Sequence, residues 1–249
     1  MSSFFVLFRK EFKGQLRTYR LLIVVAVFFV FGLGTPLLLK YLHALVPAES
    51  VATSIPEFTT ADVVQSYIRS LGQLGLIAAI LVAMGSVASE RESGTAAMTL
   101  SKPVGCGSFI LAKLAALAVT FGVAIAVGAI GCYLYTVVLF GNPGGFDFLV
   151  ATLLGALYLL FCLAVTVMYS GFVKSPIAAG GLSLVTLAAI AGTAGLPGMK
   201  DYSPGALLDW ADNVASAGGP NSWWVLIVSV ALIVLTTVIG WQVFKRKEL

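Results

Sequence analysis

Six long stretches without a charged residue constrain what this chain can fold into. They cover residues 21–39, 71–89, 114–146, 148–173, 175–199 and 213–244. A helix needs about 20 apolar residues to cross the roughly 30 Å hydrocarbon core of a bilayer. Transmembrane strands would instead give alternating segments of about ten residues, a pattern that these stretches lack. The sequence therefore predicts an all-α integral membrane protein with six transmembrane helices.

The composition points to the same class. Charged residues make up 10% of the 249 residues and hydrophobic residues 59%, whereas a soluble domain has about 25% and about 45–50%. Fifteen basic and eleven acidic side chains cannot cover the surface of a soluble protein of this length. This excludes soluble globular, disordered and nucleic-acid-binding classes, so no nucleic acid is expected as a partner despite the net charge of +4.

The positively charged residues set the expected topology. We trim the stretches to six spans and assign residues 21–249 to one transmembrane domain, with spans at 21–39, 71–88, 112–140, 148–170, 176–196 and 223–244. One side then receives twelve of the fifteen basic residues and four of the eleven acidic ones, a net charge of +8, and the other side has −4. Basic residues favour the cytoplasmic side. Both termini are therefore expected in the cytoplasm.

Residues 1–20 precede the first span and have a helical pattern. Phe5, Phe8 and Phe12 recur at intervals of three or four residues, and Arg9, Lys13 and Arg17 recur on another face. Such a pattern predicts an amphipathic helix in the membrane interface, with its basic residues toward lipid headgroups. Membrane lipids are therefore expected partners. The helix either only anchors the amino terminus or acts as an elbow that braces a moving helical bundle.

A cytoplasmic loop at 89–111 is expected between the second and third spans. Ser89 or Glu90 could open a short helix along the membrane surface, because acidic residues are favourable near a helix amino terminus. Pro103 would end that helix, since the residue before a proline avoids the helical region. On the opposite side, the segment after Ser203 predicts a short amphipathic outer helix, and the lone His43 in an outer loop at 40–70 is weak evidence for a metal site.

Several kinds of chemistry have no residues to support them. No charged residue lies at a predicted membrane centre, which counts against a proton-coupled pump or a voltage sensor. The sequence has no Gly-x-x-x-x-Gly-Lys-Ser/Thr loop, so the chain is not expected to bind ATP by that route. Nothing indicates catalytic residues, a bound cofactor or a metal site. The three cysteines have no metal-ligand or disulfide spacing.

The loop also carries a resemblance to a known family. Its segments 90–95 (ERESGT), 100–104 (LSKPV) and 110–113 (ILAK) resemble the signature of ABC-2 type transporter permeases. The order of parts is similar along nearly the whole chain, and the segment 173–179 (VKSPIAA) is similar to the second coupling segment of the NosY-like branch. One departure is Gly105-Cys106, where the family usually has serine or threonine followed by arginine.

The resemblance implies a mechanism. Two permease chains would pair in a bacterial or archaeal cytoplasmic membrane, and each would bind a separate cytosolic ATPase that carries the ATP and magnesium. The helix around residues 90–100 would act as a coupling helix, and the complex would work as an exporter. The residues implied at the ATPase interface are Glu90, Arg91, Glu92, Gly94, Thr95, Leu100, Pro103 and Lys174.

Other interpretations stay open at this stage. The charged cluster 90–92 could be a solvated loop, and the chain could be a stand-alone secondary carrier or a scaffold that transports nothing. The substrate is also open. Apolar spans suit lipids, lipid-like compounds, peptides or drugs, and they equally suit a machine that exerts force on another membrane component.

Overall fold

Helices account for the regular structure of the chain. The computed structural model describes residues 3–45, 58–94, 105–193, 203–216 and 223–247, and these ranges contain helices and no strand. The helices are α1 (Ser3–Arg17), α2 (Arg20–Leu45), α3 (Thr60–Ala83), α4 (Gly85–Glu92), α5 (Cys106–Leu139), α6 (Gly145–Phe172), α7 (Pro176–Thr193), α8 (Ala206–Ala215) and α9 (Trp224–Lys247). The prediction of an all-α membrane protein is confirmed.

Within the described residues, five stretches of helix are long and apolar enough to cross a bilayer. They are Arg20–Tyr41, Thr60–Glu92, Gly107–Leu139, Gly145–Phe172 and Trp224–Arg246. Each overlaps one of the predicted spans. The remaining predicted span, 176–196, coincides with the shorter apolar helix Pro176–Gly192, and residues 194–196 lie outside the described part of the chain. The exact bounds of the six spans stay predictions.

The helix that contains the second predicted span begins before the charge-free stretch that starts at residue 71. Thr59 accepts a hydrogen bond from the Asp62 backbone N–H, and the Asp62 carboxylate accepts one from the Thr59 N–H at 2.7 Å. This reciprocal capping box satisfies backbone donors that a helix amino terminus leaves free. Because α3 starts at Thr60 and α2 continues to Leu45, the predicted outer loop at 40–70 was too long.

Helix α6 lies at the centre of the bundle. Its residues 161–168 are all buried, because α3, α5, α7, α8 and α9 all pack against it. The predicted outer helix is present as α8, with Leu207, Trp210 and Ala211 buried. Asp212 of α8 forms an ion pair with Arg69 at 3.2 Å. Burial raises the pKa of Asp212, and the hydrogen bond from Arg69 opposes that rise.

The predicted elbow helix forms at Ser3–Arg17. Thr18 and Tyr19 make the turn into α2, and Tyr19 adopts a φ of +56°, which is uncommon for a residue other than glycine. The predicted interfacial residues Phe5, Arg9, Lys13 and Arg17 are all exposed, so they are free to contact lipid headgroups, and that contact stays a prediction. A third face, which the pattern did not separate, packs against α5 and contains the buried residues Leu7 and Gln15.

Candidate functional site

Three short segments meet at one end of the bundle, which we call the basic end. They are α1, α4 and the first turns of α5, with the carboxyl terminus of α6 beneath them. The break between α3 and α4 sets this arrangement. Ser170 of α6 is fully buried, and its hydroxyl accepts hydrogen bonds from the backbone N–H groups of Val87 (3.0 Å) and Ala88 (2.9 Å). It donates one to the Met84 carbonyl at 2.8 Å.

The Ser170 hydroxyl therefore replaces part of the helical hydrogen-bond ladder. A side chain inserted into that ladder is a known cause of helix bending. The insertion separates α4 from α3 and leaves no free N–H at Val87 or Ala88. Helix α6 is the most buried of the five long apolar helices. The start of α4 is therefore attached directly to the core of the bundle.

Arg91 attaches the other end of α4 to the same helix. Its guanidinium donates a hydrogen bond to the carbonyl of Gly171 at 2.7 Å. The last carbonyls of a helix lack partners within that helix, and a cation is favourable there because of the helix dipole. Arg91 thus caps α6, and α4 is fixed to α6 at both of its ends.

Lys113 joins the three segments of the basic end. Its ammonium lies 2.8 Å from the Glu90 carboxylate of α4 and 3.1 Å from the Glu11 carboxylate of α1. The Lys113 side chain is only 3% exposed, and its ammonium also lies 4.9 Å from the centre of the Phe109 ring. A buried ammonium is costly unless it is paired and hydrogen-bonded, and the two carboxylates meet that requirement.

A second polar contact fixes the elbow helix. The Thr120 hydroxyl of α5 donates a hydrogen bond to the side-chain oxygen of Gln15, and both residues are buried. A hydrogen bond between two buried polar side chains spares both the cost of being left without a partner. The elbow helix is therefore joined to α5 at two points, two turns of α5 apart.

Among the predicted interface residues, two make contacts inside the chain and three are exposed. Glu90 and Arg91 direct their charged groups to Lys113 and Gly171 inside the chain. Glu92, Gly94 and Lys174 are exposed, and Gly94 has a φ of +71°, a conformation that favours glycine. Thr95, Leu100 and Pro103 lie outside the described residues.

The expected start of a helix at Ser89 or Glu90 is wrong. Glu90 and Glu92 belong to the last turn of α4, which ends at Glu92, and α5 already begins at Cys106. The predicted loop at 89–111 is therefore helical at both of its ends. Acidic residues are unfavourable near a helix carboxyl terminus, and Lys113 offsets that effect for Glu90.

Four residues of this site were not among the predicted ones: Glu11, Gln15, Lys113 and Ser170. Lys113 was visible as the lysine that opens the third span in the family pattern. Glu11 is the one acidic residue in the sequence 1–20 and is spaced four residues from Leu7 and from Gln15, away from the basic face, which could have marked a contact with protein. Ser170 has no such signal, because it is one hydroxyl residue in a stretch of apolar ones.

Replacing Ser170 with alanine is expected to destabilise the folded chain by about 1–3 kcal/mol, because two buried N–H groups lose their acceptor. Ser183→Ala is the matched control, since Ser183 is also buried but its hydroxyl donates a hydrogen bond to Ala179 of its own helix. Thermal unfolding of the detergent-solubilised protein measures both changes. Equal midpoints for the two variants would show that Ser170 does not hold the break between α3 and α4.

Comparison with known proteins gives two findings. A family model described as ABC-2 family transporter protein matches residues 5–249. The chain is also similar to the uncharacterized transmembrane protein YxlG of Bacillus subtilis (strain 168), with 24% identity over an alignment that covers 100% of this chain and 99% of that protein. Both matches include the basic end, and the family match leaves out only the first two residues of α1 among the described helices.

Proposed function

The chain belongs to the ABC-2 family of transporter proteins, and from that membership we propose that it is an export permease driven by a separate cytosolic ATPase. The chain itself supplies the membrane path. The ATPase subunit supplies ATP binding, magnesium and hydrolysis, since this sequence has no phosphate-binding loop of the Walker type. Two permease chains, each with its ATPase, form the working complex in a bacterial or archaeal cytoplasmic membrane with both termini in the cytoplasm.

The attachment of α4 is the observation that best supports this proposal. A docking segment can transmit motion only if it is held firmly by the helices that must move. Helix α4 is held by Ser170 and the Gly171 carbonyl of α6 and by Lys113 of α5. A displacement applied at its end would therefore reach two membrane-spanning helices and, through Glu11, the elbow helix.

The exposed residues next to α4 are assigned to the ATPase contact. Glu92 and Gly94 follow the fixed part of α4, and Lys174 lies three residues beyond the Gly171 carbonyl that Arg91 caps. Charged groups at the rim of an interface steer partners and set their register. Glu90 and Arg91 act within the permease by holding α4, while Thr95, Leu100 and Pro103 stay predicted contacts.

Reversing the charge of Glu92 or Lys174 tests the assignment. Glu92→Lys and Lys174→Glu are each expected to reduce recovery of the ATPase with the tagged permease about tenfold, which corresponds to about 1.4 kcal/mol, because like charges would then face each other. ATP hydrolysis stimulated by the permease in proteoliposomes should fall in parallel. Asp147→Lys, an exposed reversal at the opposite end, is the control.

Each outcome of this experiment has a clear meaning. Full recovery of the ATPase and full stimulation with both variants would contradict the placement of the interface at the basic end. A wild-type chain that binds no ATPase and moves a solute down an ion gradient would instead support a secondary carrier. A chain that neither binds an ATPase nor affects transport would be a scaffold.

A further inference from the structure

A groove runs between α5 and α6 on the outside of the bundle. It has two chambers of about 480 and 280 Å³, and Leu153 lines both of them. Along α6 the lining extends from Gly145 to Leu163, which is about 27 Å of helix at about 1.5 Å per residue. Both helices are long and apolar enough to cross a bilayer, whose hydrocarbon core is roughly 30 Å thick. The groove therefore extends across most of that core.

Small residues on α5 create the groove. Ala118, Gly122 and Ala126 recur at every fourth residue, so they lie on one face of the helix. Opposite them α6 presents larger side chains, among them Leu153 and Leu160. Gly122 and Ala126 are exposed, and a Cβ built at Gly122 would meet no atom of the described residues within 4 Å. The space that the small residues leave is therefore open to the surroundings of the two helices.

The lining of the groove excludes a polar ligand. None of the residues that line the two chambers is charged. The two that carry hydroxyl groups are already hydrogen-bonded: Thr152 donates to the Phe148 carbonyl at 2.8 Å, and Tyr133 donates to the Asn142 side chain at 3.4 Å. A polar group without a partner is costly in an apolar environment. The lining therefore suits a hydrocarbon ligand.

The width of the groove favours a hydrocarbon chain over a helix as its occupant. Spread over about 27 Å of helix, the volumes of the two chambers correspond to a channel about 5 Å wide. Carbon atoms pack about 4 Å apart, so such a channel takes one chain, whereas a helix with its side chains is about 10–12 Å across. Ile130, Leu149 and Leu153 of the lining are each more than half exposed, so the chain enters from the side.

We propose that this groove binds acyl chains of membrane lipids as a fixed part of the folded permease. A chain from the leaflet at the basic end fills the smaller chamber, and a chain from the opposite leaflet fills the larger one. Lipid chains are as apolar as leucine, so binding depends on packing contacts within the groove. Because the lining has no group that recognises a headgroup, lipids with different headgroups bind alike.

Photolabelling of the full-length permease in nanodiscs tests this proposal. The discs contain a phospholipid with a diazirine in the middle of one acyl chain, and peptide mass spectrometry locates the labelled residues. We expect labelling of Ile130, Leu149 and Leu153 to exceed that of Ile227 and Val234 on α9 about tenfold, which corresponds to about 1.4 kcal/mol, because many weak carbon contacts add up in the groove. The two α9 residues are similarly exposed but line neither chamber. Phosphatidylcholine and phosphatidylglycerol probes should label alike.

A variant that fills the groove provides a second measurement. Gly122→Leu should lower labelling of the smaller chamber to the level on α9, because its side chain would occupy the space in which a chain packs. Gly34→Leu is the matched control. It adds the same side chain to α2, where a Cβ also meets nothing within 4 Å and which lines neither chamber, so the labelling should not change. Thermal unfolding confirms that both variants are folded.

Several results would overturn the proposal. They are equal labelling of the groove and of α9, a preference for one headgroup, and unchanged labelling in Gly122→Leu. Oxidation of Leu153→Cys tests whether a second copy of the chain covers the groove instead. A disulfide-linked dimer that the wild-type chain does not form would also overturn the proposal. The assay contains no ATPase, so its result is separate from that of the proposed coupling.

Discussion

Replacing Lys113 with methionine is expected to destabilise the folded chain by about 3 kcal/mol, because breaking a buried charge cluster removes the cation that its two carboxylates share. Lys113 is 3% exposed, and its ammonium is the cation that the Glu11 and Glu90 carboxylates share at 3.1 and 2.8 Å. In the variant, the partly buried Glu11 and Glu90 carboxylates would face the apolar side chain of methionine instead of the ammonium of Lys113. Thermal unfolding in detergent measures the loss.

The same change should release the elbow helix before the rest of the bundle unfolds. Glu11 makes one polar contact between α1 and α5, and the pair of Gln15 and Thr120 makes another. Limited trypsin digestion reports this release, since α1 contains Arg9 and Lys13. Faster cleavage in α1 alone would indicate undocking, whereas faster cleavage everywhere would indicate global unfolding.

Two controls separate the charge from the shape of the Lys113 side chain. Lys174→Met removes an exposed lysine at the same end and should change stability by less than about 0.5 kcal/mol. Adding Glu11→Gln and Glu90→Gln to Lys113→Met should restore most of the stability, because the charges of the two carboxylates that shared the lost cation are then removed as well. If Lys113→Met unfolds at the wild-type temperature, the cluster does not hold the basic end together.

The bundle could be predicted because its signals are local in the sequence. A membrane helix must exclude charge over about 20 successive residues, and the elbow helix shows its faces at intervals of three and four residues. Helix α8 after Ser203 was predicted for the same reason. The start of α3 also had a local signal, the capping box Thr59-x-x-Asp62, but the prediction assigned these residues to the outer loop at 40–70.

The contacts of the basic end could not be predicted in the same way. Ser170 meets Val87 across 83 residues of sequence, and Lys113 meets Glu11 across about 100. The periodicity of a sequence does not indicate which polar residue of a distant helix will lie next to a given side chain. The acidic residues of α4 illustrate the consequence. Their charge alone indicated a helix amino terminus, whereas the ion pair with Lys113 stabilises Glu90 near a carboxyl terminus.

The pairing of α2 with α5 depends on two glycines that allow the backbones to touch. A Cβ built at Gly32 would lie 2.2 Å from the carbonyl oxygen of Gly128, and one at Gly128 would lie 2.7 Å from the carbonyl oxygen of Phe28. These neighbours are backbone atoms, which cannot move aside as a side chain can. Membrane helices associate largely through close packing, because lipid is as apolar as their side chains.

Gly32→Ala and Gly128→Ala are therefore each expected to destabilise the folded chain by about 3 kcal/mol, near the upper end of overpacking costs, by forcing α2 away from α5. Gly34→Ala and Gly122→Ala lie on the same two helices, where a Cβ meets nothing within 4 Å. They should be neutral or stabilising by up to about 1 kcal/mol, since alanine is the better helix former. A disulfide-trapping assay between cysteines placed on α2 and α5 would detect the separation directly. Equal unfolding temperatures for Gly128→Ala and Gly122→Ala would mean that the two backbones do not lie in contact.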